Sequence, residues 1–431
     1  MSKFAWRGLT LTSFLVIGSG TCLELCAFGG DAVAPANSPV TAATSIPNPP
    51  DGFEFIDTSF ENASPLWYDF GQDSTVNVHL VYDNERSSVN RAAGHFHFMI
   101  SARTGTQLTL EFQNLDNIWN RQPGSIAREL KTAFISPDAV NWKPVSLSAL
   151  PGNRIILKVT MPSPRLFVAR VEPYRLSDLK KLLERIRTNA LVEIKTIGRT
   201  VEGRPLEIVR IGDPNAAHRV FLRARAHPWE AGTSWVIQGF IQRMLDTDDS
   251  VRESRRLFCA YVLPMANKDG VARGRTRFNL LGKDLNRGWD KPADPLTAPE
   301  NHALEQWLES MVHAGLAPEV ALELHNDGAG LLQLSRLEGP RLQPYLEHMA
   351  RLERFLRKDT WFTEGSTGAN FRNPGSLGEG WLERFGVYAA VHEFNCNWIA
   401  GLNDYPSAAH WREYGAGLVR VFSDYFDEHL P

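Results

Sequence analysis

The chain has 431 residues, 43% of them hydrophobic and 22% charged, with a net charge of −3. That length exceeds what one small core needs, so two domains behind a processed leader are expected. Acids and bases nearly balance, which excludes the basic footprint of a nucleic-acid binder; nucleic acid is not expected as a partner.

The first thirty residues set Lys3 and Arg7 before a mostly apolar run, and Ala34-Pro35-Ala36 offers a small-residue cleavage site. This reads as a signal peptide over residues 1–36, with a secreted or periplasmic destination. A membrane anchor is the alternative, but Gly18, Gly20 and Glu24 interrupt the run before the roughly 20 residues that a spanning helix needs. A lipid on Cys22 or Cys26 is a further option. Leader removal leaves only Cys259 and Cys396, so a disulfide scaffold is excluded and no membrane span is expected in the mature chain.

Residues 37–52 are rich in small residues and prolines and read as a flexible linker. From residue 53 to 173 the pattern has period two. Val76, Val78 and Leu80 alternate with polar neighbours, as do Phe96, Phe98 and Ile100, then Leu108, Leu110 and Phe112. Half-buried antiparallel strands with turn residues between them predict a β-sandwich.

From residue 174 to 431 short apolar runs alternate with helical patterns, the signature of an α/β domain. The first helix carries Leu179, Leu182, Leu183 and Ile186 on one face, and further helices are expected at about 233–246, 299–313, 342–357 and 407–428. Four apolar runs of this domain end in polar clusters: at His227 and Glu230, at Asn267-Lys268-Asp269-Gly270, at His325, and at His392-Glu393. In open α/β sheets, sites form outside the carboxyl ends of the strands.

In HPWE, His227 and Glu230 lie three apart in a turn that feeds a helix, a spacing that can aim both side chains at one point. Standing alone, the pair is better explained as an ordinary polar turn. A catalytic zinc takes three protein ligands, and His325, closing its own strand, is the natural third. Glu393 closes the fourth strand, where a carboxylate can take a proton from an attacking water and return it to a leaving amine; as a lone residue it could equally be a surface glutamate. In GKDLNRGW, Asn286 and Arg287 share a loop, with Arg277 ten residues before Arg287. A guanidinium binds a carboxylate bidentately, and a second arginine can stabilise the oxyanion of a tetrahedral intermediate, although loop arginines are usually just solvated.

With EGRPLEIVRIG, HPWE, NKDGV, GKDLNRGW, ELH and the strand ending in Glu393 in this order, the chain resembles the zinc carboxypeptidase family. IDTSFENAS, ARVEPYRLSDLKKLLERI and the sandwich between them resemble its cytosolic-type branch, which has a β-sandwich before the catalytic domain. The resemblance covers about residues 53–431. It implies a mixed α/β sheet flanked by helices, preceded by an antiparallel β-sandwich. It further implies one zinc ion on His227, Glu230 and His325, a general base and acid at Glu393, an oxyanion partner at Arg277, and carboxylate recognition by Asn286 and Arg287. Arg204 would line the peptide groove. The implied activity is hydrolysis of the C-terminal peptide bond of peptides with a free carboxylate, cell-wall peptides among them. An amidase acting on acylated amino acids or γ-linked peptides, or a non-catalytic binding protein, are the alternatives.

Two departures stand out. Asn326-Asp327 follow the third ligand, and the family's active-site tyrosine has no counterpart in residues 361–381, which offer Trp361, Phe371 and Trp381. Residues 365–380 should form a loop bordering the pocket, with Arg372 or Glu379 setting its charge preference. His392 should face away from Glu393, either in packing or supporting the site from behind, and is not expected as a ligand.

Overall fold

Alternation in the N-terminal strands translates directly into burial. Val76, Val78 and Leu80 are buried along the strand Val76–Leu80, while Asn77 and His79 between them are only partly covered. Burying a Val or Leu side chain contributes roughly 1.5–3 kcal/mol, so the register is strongly held: a slip of one residue would turn Asn77 and His79 into the core. The computed structural model describes residues 47–427; the expected leader and residues 37–46 of the expected linker lie outside the described residues.

Two five-stranded sheets face each other. One orders Phe53–Asp57, His97–Ala102, Arg165–Ala169, Thr132–Ser136 and Lys143–Ser146; the other orders Ser148–Leu150, Arg154–Thr160, Gln107–Gln113, Val76–Leu80 and Leu66–Phe70. The pairing is antiparallel with one exception: Val76–Leu80 runs parallel to Gln107–Gln113. Between these two strands the chain crosses to the opposite sheet to form His97–Ala102 and returns, which restores its original direction. A small third sheet, Asp83–Asn84, Arg91–Ala92, Asp116–Trp119 and Gln122–Ser125, extends from the sandwich.

The C-terminal half is built on a seven-stranded mixed sheet in the order Val192–Arg199, Pro205–Ile211, Phe258–Leu263, His218–Ala224, Val320–Asp327, Tyr388–Asn395 and Leu332–Gln333. Its four central strands run parallel. They read as nearly continuous apolar runs because both faces are covered. Val220, Leu222 and Leu322 pack with Ile237, Phe240 and Leu418 on one face. Phe221 and Ala321 pack with Trp307, Leu308 and Trp381 on the other.

Helices form at Leu176–Ile186, Ala231–Met244, Pro299–His313, Leu342–Asp359 and Ala408–Asp427, close to the periodicity expected, and Leu179, Leu182, Leu183 and Ile186 form the buried face of the first. The five-residue helix Lys268–Ala272 went unforeseen, as did two longer ones, Asp249–Leu257 and Leu377–Phe385. Each of the longer two has nine residues, too few for a helical period to stand out. Among the described residues no helix is long and apolar enough to cross a membrane, and Cys259 and Cys396 are buried free thiols.

The two sheet systems share packing. Trp229, in the turn that carries His227 and Glu230, belongs to the sandwich's hydrophobic cluster with Phe96, Phe112 and Ile126.

Candidate active site

Parallel strands place their carboxyl ends on one edge, and that edge assembles the site. After the strand His218–Ala224, Arg225 takes a left-handed conformation at φ 60° and turns the chain outward. Its buried guanidinium reaches back to the carbonyl oxygens of Tyr174 and Pro228, offsetting the strain of that backbone. The turn ends at Glu230, which starts the helix Ala231–Met244, where the helix dipole favours a carboxylate.

Two neighbouring strands bring the remaining groups. Val320–Asp327 and Tyr388–Asn395 run in parallel register with His325 opposite Glu393, so their side chains stand together at the same edge. One residue earlier the pleat points the other way: His392 is buried, with its Nε2 2.6 Å from the Tyr414 hydroxyl.

His227, Glu230 and His325 form a buried triad whose ligand atoms all lie within 4.8 Å of one another. Nδ1 of His227 is 2.8 Å from Glu230 Oε1 and 3.1 Å from Nδ1 of His325, which is itself 2.8 Å from Glu230 Oε2. Despite that short separation, Glu230 Oε2 makes no aligned hydrogen bond. The three groups thus gather their donor atoms into one small buried space. Zinc bonds of about 2.0–2.2 Å to nitrogen and oxygen require such convergence, so this donor set fits a zinc ion.

Charge reinforces the fit. Burial alone would raise the Glu230 carboxyl, but the flanking His227 and His325 outweigh it and hold the group well below the usual carboxylate range. Burial disfavours a charge on His325, and Glu230 overcomes that and raises it. The triad thus binds positive charge against desolvation, a demand that a divalent cation meets.

Both histidines are braced from behind. His227 Nε2 is 3.2 Å from Asp284 Oδ1, and Oδ2 of Asp284 accepts the Arg277 Nε–H at 2.9 Å. His325 Nε2 is 3.6 Å from Glu323 Oε1, which Arg223 holds at 2.6 Å in a fully buried ion pair. Such carboxylates fix the orientation of metal-ligating imidazoles. Asp284 is the clearest residue missed from the sequence; its signal was an acid two positions before Asn286, in a loop already singled out.

Glu393 stands at the mouth of the triad. Gln333 Nε2 donates to its Oε1 at 3.4 Å, while Oε2 is buried without a partner. Burial, reinforced by Asp327, raises this carboxyl well above the usual range, against the pull of His325.

A cavity of about 310 Å3 opens over these groups, lined on the sheet side by His227, Glu230, Arg277, Asn286, Arg287 and Glu393. Arg277 and Arg287 therefore share this cavity with Glu393. Asn286 is already engaged: its Oδ1 accepts the Leu377 N–H at 3.0 Å and its Nδ2 lies 3.2 Å from His325 Nε2. Phe371 and Arg372 border the cavity, Glu379 does not, and no tyrosine is among its lining residues.

Arg204 requires a correction. It is not on the cavity; its guanidinium is bound to Glu202 and to Asp269, 2.6 Å away, and it lines a separate depression with Leu176, Glu207 and Lys268. Two carboxylates hold it there, away from the residues that line the cavity over the triad.

The opposite wall comes from the sandwich and was not foreseen: Trp119, Ile126, Glu129 and Arg170 line the same cavity. Arg170 is buried, its guanidinium stacked 3.6 Å over the Trp229 ring, with Nε and Nη1 unpaired. Trp229 in turn donates its Nε1–H to Glu230 Oε1 at 3.1 Å.

Comparison with known proteins follows the same lines. A zinc carboxypeptidase family model matches residues 179–321. Cytosolic carboxypeptidase 6 of Caenorhabditis elegans is 37% identical over 100 residues, 22% of this chain and 22% of that protein. Over residues 179–321 the chain is similar to the zinc carboxypeptidase family. An uncharacterized protein of Zymomonas mobilis is 28% identical over 198 residues, 46% of this chain and 50% of that one. The chain thus spans half or less of the length of these curated relatives. The metallo-carboxypeptidase of Burkholderia cenocepacia shares the fold over 86% of this chain and 98% of its own, with a TM-score of 0.76 at 18% identity. That coverage includes sandwich as well as mixed sheet, in keeping with the architecture expected from the sequence. Zinc is the family's metal, and His227, Glu230 and His325 are the residues able to hold it here.

Proposed function

We propose that the protein is a zinc-dependent carboxypeptidase that removes residues from the free C-terminus of peptides. The observation that carries this reading is the convergence of His227, Glu230 and His325 beside Glu393, with Arg277 and Arg287 on the same cavity. A bound zinc ion supplies Lewis acidity to the scissile carbonyl and the attacking water.

The chain's own groups supply the rest. Arg287 anchors the substrate's terminal carboxylate, its cavity position held by a bond from Nη1 to the Asn286 carbonyl oxygen at 2.7 Å. Asn286, tied to His325 and to the Leu377 N–H, keeps this loop in register with the triad. Glu393 takes a proton from the attacking water and delivers it to the leaving nitrogen; the burial that raises its carboxyl brings it nearer the neutral range in which one group can serve as both base and acid. Arg277 spends Nε and Nη2 on Asp284, which leaves Nη1 for the oxyanion.

The leader read at residues 1–36 supports a secreted or periplasmic setting, in which cell-wall peptides are within reach as substrates. Mass spectrometry of a mixed peptide library incubated with the zinc-loaded protein tests the function. Loss of single C-terminal residues by the intact protein but not by Glu393→Gln is expected. An intact library, or equal loss with both proteins, would sink the reading.

A further inference from the structure

We propose that Asp83, in the sandwich, is a positioning residue for Arg277, which makes the sandwich a working part of the active site. The proposal rests on the oxyanion role given to Arg277 above.

Asp83 sits in the short strand Asp83–Asn84 and is 2% exposed. Its Oδ2 accepts the backbone N–H of Thr276 at 2.8 Å and that of Arg277 at 2.7 Å, and its Oδ1 lies 3.4 Å from Arg275 Nη1. Hydrogen bonds to an ionised acceptor are roughly twice as strong as neutral ones. Two of them meet on consecutive amides of the segment that carries the arginine.

The segment is docked at both ends as well. Gly274, at φ 60°, leaves no room for a side chain: a Cβ there would lie 2.0 Å from the Ala63 carbonyl oxygen. Gly282, at φ 71°, would place one 2.7 Å from the Arg86 nitrogen, and its carbonyl oxygen accepts the Arg86 N–H at 2.8 Å. Between them the His95 N–H donates to Thr276 Oγ1 at 3.2 Å. Ala63, Asp83, Arg86 and His95 all belong to the sandwich half, so that half frames the whole stretch from Gly274 to Gly282.

From Arg277 the connection continues through Asp284 to His227. A displacement of about 1 Å in a group that meets the transition state can cost on the order of a hundredfold in rate. Asp83 touches neither the cavity nor the triad, so any influence it has on turnover must pass through the segment it holds.

The test is a double-mutant cycle on the full, zinc-loaded chain, with Asp83→Asn and Asp83→Ala each made alone and with Arg277→Ala. Asp83→Asn is expected to lower kcat by roughly tenfold to a hundredfold, with KM, zinc content and Tm little changed. In the Arg277→Ala background the same change should cost less than about threefold, because coupled residues are not additive. Hydrogen exchange at the Thr276 and Arg277 amides should quicken in Asp83→Asn. An equal loss in both backgrounds, or full activity in Asp83→Asn with unchanged exchange, would overturn the proposal; should Asp83→Ala fail to fold, the asparagine variant decides. A silent Arg277→Ala would remove the oxyanion role and the proposal with it, whereas a sensitive Arg277 with additive Asp83 overturns the proposal alone. If the chain cleaves no peptide, unchanged exchange in Asp83→Asn still overturns it.

Discussion

The two sides of the cavity are built on different principles. Its floor is a set of strand ends: His227 and Glu230 just past one parallel strand and Glu393 on another, with His325 buried in register beside Glu393. Its far wall is loop and edge structure from the sandwich, where Trp119, Ile126, Glu129 and Arg170 meet the floor only because a distant part of the chain packs there. The floor carries groups that chemistry requires at fixed separations. The wall carries groups that shape what can enter, and Trp229 joins the two, buried in the sandwich cluster while bonded to Glu230.

Substitutions should separate floor from wall. The largest effect belongs to Glu230→Ala, which removes the anionic ligand and leaves two imidazoles; stoichiometric zinc and activity should both be lost. Elemental analysis that still finds one zinc per chain would contradict the assignment. Asp284→Asn comes next. Without its charged brace His227 should bind less well, and competition against a chelator should show zinc affinity reduced roughly tenfold to a hundredfold. Unchanged affinity would mean that Asp284 serves only Arg277. Trp119→Ala should have the smallest effect. It trims the wall, so KM should rise by about a few-fold with kcat and zinc content preserved, the pattern of lost uniform binding. A fall in kcat with unchanged KM would place this residue with the catalytic groups and erase the distinction.

Legibility in the sequence follows the same divide. A strand that ends in a histidine or a glutamate announces itself because an apolar run stops at a chemically distinctive residue, and the triad and Glu393 are legible that way, whereas Arg277 and Arg287 are read from a polar loop and the residues before it. The buried helix face of Leu179, Leu182, Leu183 and Ile186 was visible for a related reason, since periodicity records local geometry. Asp83, Arg170 and Glu323 carry no such mark. They are ordinary polar residues in sequence and acquire meaning from contacts made over long separations, Asp83 with an amide 194 positions away. Arg204 shows the reverse case: the resemblance implied a place along the peptide groove, but the carboxylates of Glu202 and Asp269 hold it off the cavity over the triad.

The parallel pair inside the sandwich was hidden by the same limit. Alternation reports which face of a strand is buried and says nothing about the direction of its neighbour. Crossing between sheets through His97–Ala102 sets that direction.

One measurement bears most directly on the central claim: kcat/KM of the zinc-loaded protein on a matched pair of peptides, one with a free C-terminal carboxylate and one with that group amidated. In its proposed role Arg287 binds a carboxylate and gains little from an amide, so the account predicts rapid release of the last residue from the free peptide and at least about a hundredfold slower turnover of the amidated one, the loss expected when a charged hydrogen-bond partner is removed. Equal turnover of the pair would contradict it.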